Sequence, residues 1–249
     1  MIKDFYIQLY SIRNEIENIG FAATFKELNR IGYCGVEFAG CGGFSAIEMK
    51  EMLEQNKLRS LGAHIGLDQL EQALEEELEY HKVLGTKYII VPSAPVANIT
   101  ELNETIRRLQ VLAPKITEAG FKFAFHNHDQ EFAKDGNEYY LERIALEVPE
   151  ICLELDVYWA YSAGVDNAAF IKKNAAKISA LHIKQMDETN EDCDLGDGVI
   201  DLKALISLGL EIGITDYIHE QEKFAHDAFI GLENGVRFIR SFEERKGII

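Results

Sequence analysis

The stretch FKFAFHNHDQEF, residues 121–132, alternates bulky apolar residues with smaller or polar ones and then reaches two histidines. Successive side chains of a β-strand point to opposite faces. One face would carry three phenylalanines: Phe121, Phe123 and Phe125. The other face would carry Ala124, His126 and His128. The stretch therefore predicts a strand whose second face becomes polar at its C-terminal end.

Seven other short apolar segments recur at intervals of about 30 residues, and each is followed by a run with helical periodicity. The eight predicted strands are FYIQLY, YCGVEF, RSLGAHI, KYIIVP, FKFAFH, ICLELD, ISALHIK and DYIHEQE. This rhythm is typical of a (β/α)8 barrel, and a doubly wound open sheet is the alternative. Polar residues at the ends of many strands favour the barrel, because a barrel builds its active site there. We therefore predict an α/β protein with one (β/α)8 TIM barrel over residues 1–249.

Residues that commonly start or end helices separate the predicted elements. Three capping-box patterns predict helix starts: Thr24 with Glu27, Ser45 with Glu48, and Asp68 with Glu71. Four glycines follow helical runs and predict helix ends: Gly32, Gly85, Gly120 and Gly209.

Composition excludes several classes of protein. The chain has 42 Asp and Glu against 25 Lys and Arg, so its formal net charge of -17 opposes binding to nucleic acid or to anionic membranes. The four cysteines are scattered without a C-x-x-C pair, which argues against a disulfide framework or a structural zinc site. The start MIKDFYIQLY does not resemble a signal peptide, and no apolar run is long enough to span a membrane. We therefore expect a cytoplasmic protein.

The alternation rule places ionisable side chains on the inner face of six predicted strands. They are Glu37, His64, His126, His128, Glu154, Asp156, His182, Lys184, Glu220 and Glu222. Burying so many ionisable groups requires a compensating cation or substrate. Imidazole and carboxylate ligands without nearby thiolates suit Mn²⁺, Co²⁺, Zn²⁺ or Mg²⁺. The polar end of the barrel therefore predicts a divalent metal site.

The chain resembles the sugar isomerase/epimerase branch of the xylose isomerase-like barrel superfamily, which also includes ketose 3-epimerases, inosose dehydratases and endonuclease IV. The similarity covers essentially the whole chain and is carried by GYCGVEF, FHNHDQEF, LELDVYWAYSAG, LHIKQMD, GDGVID and IHEQE. It implies one divalent metal ion held by residues from strands five to eight. Carried over position by position, the implied ligands are His126, Asp156, His182 and Glu220. Homo-oligomerisation is an expectation from the family alone.

Two positions depart from the ketose epimerases. Those enzymes carry a glutamate at the strand-five ligand position, where this chain has His126, and tend to carry a histidine where this chain has Trp159. Because epimerisation needs a base on each face of the substrate, Glu220 would serve one face. The other face would be served by His128, Glu154 or Lys184. Substrate-binding candidates are Glu37, His64, Trp159 and Lys184.

The resemblance leaves several functions open. The leading one is a metal-dependent isomerase or epimerase that acts on a small sugar or keto-sugar through an enediolate. The main alternative is a lyase on the same scaffold, either a keto-inositol dehydratase or a 3-keto-glycoside β-eliminase. An endonuclease IV-like nuclease is disfavoured by the acidic composition, and a sugar-binding barrel without metal is disfavoured by the intact ligand set. The turn at Gly196, Asp197 and Gly198 could close over the site or be an ordinary turn.

Overall fold

Eight parallel strands close into a barrel, as the sequence predicts. The computed structural model describes residue 2 and residues 4–244. The barrel strands are β1 (Phe5–Gln8), β2 (Gly35–Phe38), β3 (Arg59–His64), β4 (Tyr88–Val91), β5 (Lys122–His126), β6 (Ile151–Asp156), β7 (Ile178–Ile183) and β8 (Asp216–His219). The barrel closes because β1 pairs with both β2 and β8, where Tyr6 lies opposite Gly35 and Ile218. The predicted strand order is therefore confirmed.

Helices follow the strands and surround the barrel. They are α1 (Arg13–Ile31), α2 (Ala46–Gln55), α3 (Leu67–Leu84), α4 (Ile99–Glu118), α5 (Tyr140–Glu147), α6 (Val157–Ser162), α7 (Asn167–Lys173), α8 (Leu202–Glu211) and α9 (Ala228–Glu244). Two short helices, α6 and α7, join β6 to β7, so the described part of the chain has one helix more than predicted. None of the helices formed by residues 4–244 combines the length and apolar character that a bilayer crossing requires.

Only one of the three predicted capping boxes starts a helix. Ser45 caps α2, since its side chain accepts a hydrogen bond from the Glu48 amide and its own amide donates to the Glu48 carboxylate. Thr24 instead lies inside α1, which is broken at Gly20, and its hydroxyl donates to the Gly20 carbonyl. Asp68 lies in the first turn of α3, which begins at Leu67. The predictions at Thr24 and Asp68 are therefore wrong by a few residues.

Three of the four predicted helix-ending glycines have the left-handed backbone conformation. Gly32 and Gly85 follow α1 and α3 with φ of 113° and 70°, and Gly120 follows α4 with φ of 97°. Gly209 lies inside α8 instead, and that helix is followed by Gly213 with φ of 91°.

Two apolar cores lie on the two sides of the strands. A small cluster fills the barrel: Tyr6, Leu61, Tyr88, Ile90, Ala124, Ala180 and Ile218. A larger cluster packs the outer faces of the strands against the helices, and it includes Phe123, Phe125, Leu153, Leu155, Leu181 and Ile183. His126, His182 and Glu220 come two positions after the inward residues Ala124, Ala180 and Ile218, at the C-terminal ends of β5, β7 and β8. The predicted alternation therefore puts apolar residues inside the barrel and polar ones at its C-terminal end.

A β-bulge sets which side chains of β3 face inwards. Val36 lies opposite Ser60, but Glu37 lies opposite Gly62, so Leu61 is an additional residue on β3. A Cβ atom on Gly62 would lie 2.8 Å from Glu37 Oε1, which is closer than packed atoms tolerate. Only glycine therefore lets β3 approach β2 at this point while the Glu37 carboxylate stays inside the barrel.

Candidate metal centre and active site

The four implied metal ligands converge at the C-terminal end of the barrel. His126, Asp156 and His182 come from the ends of β5, β6 and β7, and Glu220 follows β8 directly. One ligand atom from each residue lies within 4.8 Å of the others, and all four side chains are buried. The structure brings the four residues together, and metal binding by them stays a prediction.

One atom of this group lacks the partner that a buried polar atom normally has. Asp156 Oδ2 is buried and makes no hydrogen bond, whereas His126 Nδ1 makes no aligned hydrogen bond but lies 3.3 Å from Glu154 Oε2 in the layer below. Asp156 Oδ1 accepts hydrogen bonds from the amides of Tyr158 and Trp159, which leaves Oδ2 free to bind another group. Burial lowers the pKa of His126 to about 3, so its imidazole is neutral and has a lone pair to offer. Because unpaired buried polar atoms are unfavourable, the residues present fit a divalent cation.

A second layer of ionisable residues, which we call the inner layer, lies beside and below this group and consists of Glu37, His64 and Glu154. Glu37 Oε2 lies 2.8 Å from His182 Nε2 and 3.1 Å from His64 Nε2. Glu154 Oε2 lies 2.8 Å from His64 Nε2 and 3.2 Å from His182 Nε2. On its other side, His182 Nδ1 lies 2.8 Å from Glu220 Oε2. His182 therefore contacts the inner layer through one ring nitrogen and the implied metal ligands through the other.

Two histidines, His64 of the inner layer and His182 beside it, offset the charge of the inner-layer carboxylates. Burial alone would lower the pKa of His64, but Glu37 and Glu154 outweigh it and raise the pKa to about 9. The same two carboxylates outweigh burial at His182 and hold its pKa well above the usual value. In return, the neighbouring histidines outweigh burial at Glu154 and keep its pKa low. Without metal, protonated histidines therefore compensate the buried carboxylates, and metal binding at His182 would release a proton.

Lys184 is held between two carboxylates. Its Nζ atom donates to Glu220 Oε1 at 3.1 Å and to Glu222 Oε1 at 2.5 Å, and its side chain is 1 % exposed. Burial would lower its pKa, but Glu220, Asp156 and Glu222 together raise it. Lys184 therefore remains a cation that positions Glu220, and it is unsuited to act as a base.

A cavity of about 590 Å³, which we call the main cavity, opens beside two of the implied ligands, His126 and Glu220. Five of the predicted site residues line it: His64, His126, His128, Trp159 and Glu220. The other five predicted residues do not: Glu37, Glu154, Asp156, His182 and Lys184. Among the described residues, Glu37 and Glu154 therefore belong to the site but do not line the cavity that a substrate would occupy. Lys184 does not line that cavity either.

His128 and Trp159 form one wall of the main cavity. Their ring centroids lie 5.2 Å apart. The His128 amide donates to Glu131 Oε2, which fixes the turn after β5. Burial lowers the pKa of His128, so its imidazole is neutral at neutral pH and can accept a proton.

Several residues that line the main cavity are not among those predicted from the sequence. They are Gln8, Tyr10, Ala39, Gly40, Gln69, Pro92 and Ser93. Gln8 ends β1 and donates to Glu37 Oε2 at 2.8 Å, so the rule that selects residues at strand ends would have found it. Pro92 and Ser93 directly follow β4 and carry the same signal. Gln69 comes from α3, and no strand-based rule would select it.

The turn at residues 196–198 is anchored to the segment that follows β7. Gln185 donates to the carbonyls of Leu195 and Ile200 and accepts from the Ile200 amide. A Cβ atom on Gly198 would collide with the Met186 carbonyl and with the Gln185 side chain. None of residues 196–198 lines the main cavity, so ordinary turn chemistry explains this segment.

Comparisons with known proteins agree with this fold. Residues 25–241 match the family described as Xylose isomerase-like TIM barrel. A search among curated proteins finds no match to the sequence. Among solved structures, a sugar phosphate isomerase/epimerase from Parabacteroides distasonis is 20% identical, with a TM-score of 0.82, over 97% of this chain and 94% of that one.

Two further solved structures share the fold. The IOLI protein, solved with a zinc atom, is 18% identical with a TM-score of 0.76 over 97% of this chain and 98% of that one. The probable 3-DHS dehydratase AsbF from Bacillus anthracis is 14% identical with a TM-score of 0.77 over 95% of this chain and 98% of that one. At these identities the likeness concerns the fold alone, whereas the family match covers most of the sequence. The chain therefore belongs to the xylose isomerase-like TIM barrel family.

Proposed function

We propose that the protein is a divalent-metal-dependent isomerase or epimerase acting on a small sugar or keto-sugar through an enediolate. The observation that carries the proposal is the buried group His126, Asp156, His182 and Glu220 beside the main cavity, in which Asp156 Oδ2 makes no hydrogen bond. A bound divalent ion would act as a Lewis acid that polarises a substrate carbonyl and acidifies the neighbouring C–H bond. Mn²⁺, Co²⁺, Zn²⁺ and Mg²⁺ all suit this mixed set of imidazole and carboxylate ligands.

Glu220 is the proposed base on one face of the substrate. Its carboxylate lines the main cavity and is held by His182 Nδ1 and Lys184 Nζ. Burial would raise the pKa of Glu220, but Lys184 and His182 outweigh it and keep the pKa well below the usual value. Glu220 is therefore ionised, as a general base must be before it accepts a proton.

His128 is the proposed acid or base on the other face. Of the three candidates for this role, His128 alone lines the main cavity in the described structure, whereas Glu154 lies in the inner layer and Lys184 is paired with two carboxylates. A neutral imidazole can take a proton from one position and return it at another. Trp159 beside it offers an apolar surface for the C–H groups of a sugar ring.

A lyase on the same scaffold is the second candidate. One observation favours it. The implied ligand on strand five is a histidine, His126, and among the four implied ligands Glu220 is the one carboxylate that lines the main cavity in the described part of the chain. Elimination needs one base and one acid for the leaving group, which Glu220 and His128 would supply without a second glutamate. The dehydratase name of a structural neighbour is compatible with this scheme.

Nucleic acid cleavage and metal-free sugar binding have less support. In the described structure no Lys or Arg lines the main cavity, and the formal net charge of -17 opposes approach of a phosphate backbone. The buried Asp156 Oδ2, which makes no hydrogen bond, opposes a barrel that has lost its metal.

NMR in D₂O separates these functions. Metal-loaded protein would be incubated with D-fructose, D-allulose, D-tagatose and a keto-inositol, and both deuterium incorporation and product mass would be followed. An isomerase or epimerase incorporates deuterium beside the carbonyl and leaves the product composition unchanged, whereas a dehydratase gives a product lighter by one water. Absence of exchange and of mass loss with every probe would contradict both versions of the proposal.

A further inference from the structure

A second cavity adjoins the main cavity between the loop after β2 and α3. It measures about 270 Å³, and we call it the side cavity. Gly40, His64 and Gln69 line both cavities, so the two spaces are contiguous beside an inner-layer histidine. The remaining lining residues of the side cavity are Phe38, Cys41, Gly43, Phe44, Ala63, Ile65, Glu77, Tyr80 and His81.

The lining of the side cavity combines aromatic rings with uncharged and acidic polar groups. Phe44 lies in the loop after β2 and is 41 % exposed. Tyr80 belongs to α3, and its hydroxyl donates to the Phe44 carbonyl at 3.0 Å, which ties the loop to the helix. Gln69 donates to Glu77 Oε1 at 2.7 Å across the same space. Aromatic faces recognise the C–H side of a sugar ring, while carboxylate and amide groups bind its hydroxyls.

Charge restricts the occupant. Within the part of the chain that the structure describes, neither cavity is lined by Lys or Arg, while Glu77, Glu220 and Glu222 contribute carboxylates. The protonated His64 that lines both cavities is already paired with Glu37 and Glu154, so an anionic group such as a phosphate would lie next to carboxylates without a free basic partner among the described lining residues. A purely apolar group would leave Gln69 and Glu77 without hydrogen-bonding partners other than each other. An uncharged, hydroxyl-bearing occupant fits the side cavity best.

Size indicates that one ring does not fill both spaces. A hexose ring occupies on the order of 200 Å³, counting about 30 Å³ for each water-sized unit. The side cavity of about 270 Å³ is large enough for one such ring, and a first ring over the implied ligands in the main cavity leaves it free. We propose that the side cavity is a subsite for a second neutral sugar residue, so that the substrate is a disaccharide whose reacting ring lies over the metal ligands. This inference rests on the proposed function for the chemistry of the reacting ring.

Binding measurements without turnover test the subsite. Dissociation constants of manganese-loaded protein would be measured by calorimetry for glucose and for sophorose, laminaribiose, maltose, cellobiose and gentiobiose, which differ only in linkage. We expect at least one disaccharide to bind about tenfold tighter than glucose, because the second ring gains contacts with Phe44 and Tyr80. Equal binding of glucose and every disaccharide, or no binding of any of them, would overturn the proposal.

Two substitutions remove the subsite by different routes. Cys41→Phe fills the side cavity, and Phe44→Ala removes an aromatic wall at its exposed side; neither residue lines the main cavity. Each should reduce the disaccharide advantage to less than about threefold and leave glucose binding unchanged. Tyr161→Ala removes another exposed aromatic residue from a different surface and serves as the control. If a disaccharide still binds about tenfold tighter than glucose in both variants, the proposal is overturned.

The outcome is separable from that of the proposed function. Exchange of deuterium into monosaccharides together with no gain from a second ring would overturn the side-cavity subsite and keep the isomerase or lyase chemistry. Tighter disaccharide binding together with no chemistry on any probe would keep the side-cavity subsite and overturn the isomerase or lyase chemistry.

Discussion

His182 connects the two layers of the site through its two ring nitrogens. Nδ1 lies 2.8 Å from Glu220, among the implied metal ligands, and Nε2 lies 2.8 Å from Glu37 in the inner layer. A histidine that binds metal through one nitrogen normally donates its other N–H to a carboxylate, which fixes the tautomer and the ring orientation. We therefore propose that Glu37, whose side chain is 0 % exposed, positions His182.

Replacing Glu37 tests this role. Glu37→Gln keeps the size of the side chain but removes the charge that holds the His182 N–H, and we expect metal affinity to fall by about 10- to 100-fold. Competition with a chelator of known affinity would measure the change. Glu77→Gln, which alters a carboxylate of α3 that belongs neither to the implied ligands nor to the inner layer, is the matched control. Unaltered affinity in Glu37→Gln would show that the inner layer does not orient the ligand.

His128 should affect chemistry and not metal binding. We expect His128→Gln to lower the rate of proton exchange by about 100- to 10,000-fold, because a positioned general acid or base contributes that much. Metal content should remain as in the wild type, since His128 is not among the converging ligands. The measurement is deuterium incorporation per metal-loaded chain, and a wild-type rate in the variant would exclude His128 from the reaction.

At this scale the sequence predicts positions better than roles. His126, Asp156, His182 and Glu220 were predictable, since strand alternation and the C-terminal ends of the strands determine where they lie. The hydrogen bonds of Glu37 with His182 and of Lys184 with Glu220 were not predictable, because in each pair the partner comes from another strand. Strand pairing that brings such partners together leaves no local signal in the sequence.

At the scale of elements, the β2–β3 bulge depends on the absence of a side chain at Gly62. A Cβ atom there would lie 2.6 Å from Ile90 Cδ1 and 2.8 Å from Glu37 Oε1. We expect Gly62→Ala to lower the free energy of unfolding by about 1 to 3 kcal/mol, as overpacking of a core does. Gly66→Ala is the control because its Cβ would meet nothing within 4 Å, and it should change stability by less than about 0.5 kcal/mol. Equal denaturation midpoints for both variants would contradict the account of the bulge.

Buried His81 makes α3 sensitive to acid. Burial lowers the pKa of His81 from 6.5 to about 4, so the unfolded chain binds a proton in that pH range that the folded chain does not. The free energy of unfolding should be at its full value above pH 6.5 and should fall as the pH drops towards 4, by up to about 3 kcal/mol. His81→Gln should make the decrease shallower by that amount in denaturation measured across this range. An unchanged pH dependence in the variant would show that His81 is not the responsible group.

Helix starts and ends were predictable only where local hydrogen bonding decides them. Ser45 and Glu48 form their capping box within one turn. Thr24 and Asp68 carry the same pattern, but the Thr24 hydroxyl bonds the Gly20 carbonyl and Asp68 pairs with Arg108 of α4. Gly209 is a glycine for packing reasons, since a Cβ there would lie 2.7 Å from the Tyr217 hydroxyl. Tertiary contacts outweigh the local pattern at Asp68 and Gly209, whereas at Thr24 a different local bond, to the preceding turn, does so.

At the scale of the whole molecule, the barrel was predictable because strand and helix repeat with regular periodicity along the chain. The cavities were not, because their walls come from loops and helices far apart in sequence. Gln8, Pro92 and Gln69 line one cavity only after the barrel has closed. The shape of the cavity therefore depends on the complete fold, whereas the place of each implied ligand follows from the strand that carries it.

The central claim is that His126, Asp156, His182 and Glu220 hold a divalent ion. The most direct test is elemental mass spectrometry of protein prepared without chelator, for wild type, His126→Ala and Asp156→Ala, with His128→Gln as the control that keeps the four ligands. We expect about one divalent ion per chain in the wild type and the control, and sharply less in the two ligand variants. No metal in the wild type, or metal unaffected by either ligand substitution, would contradict the account.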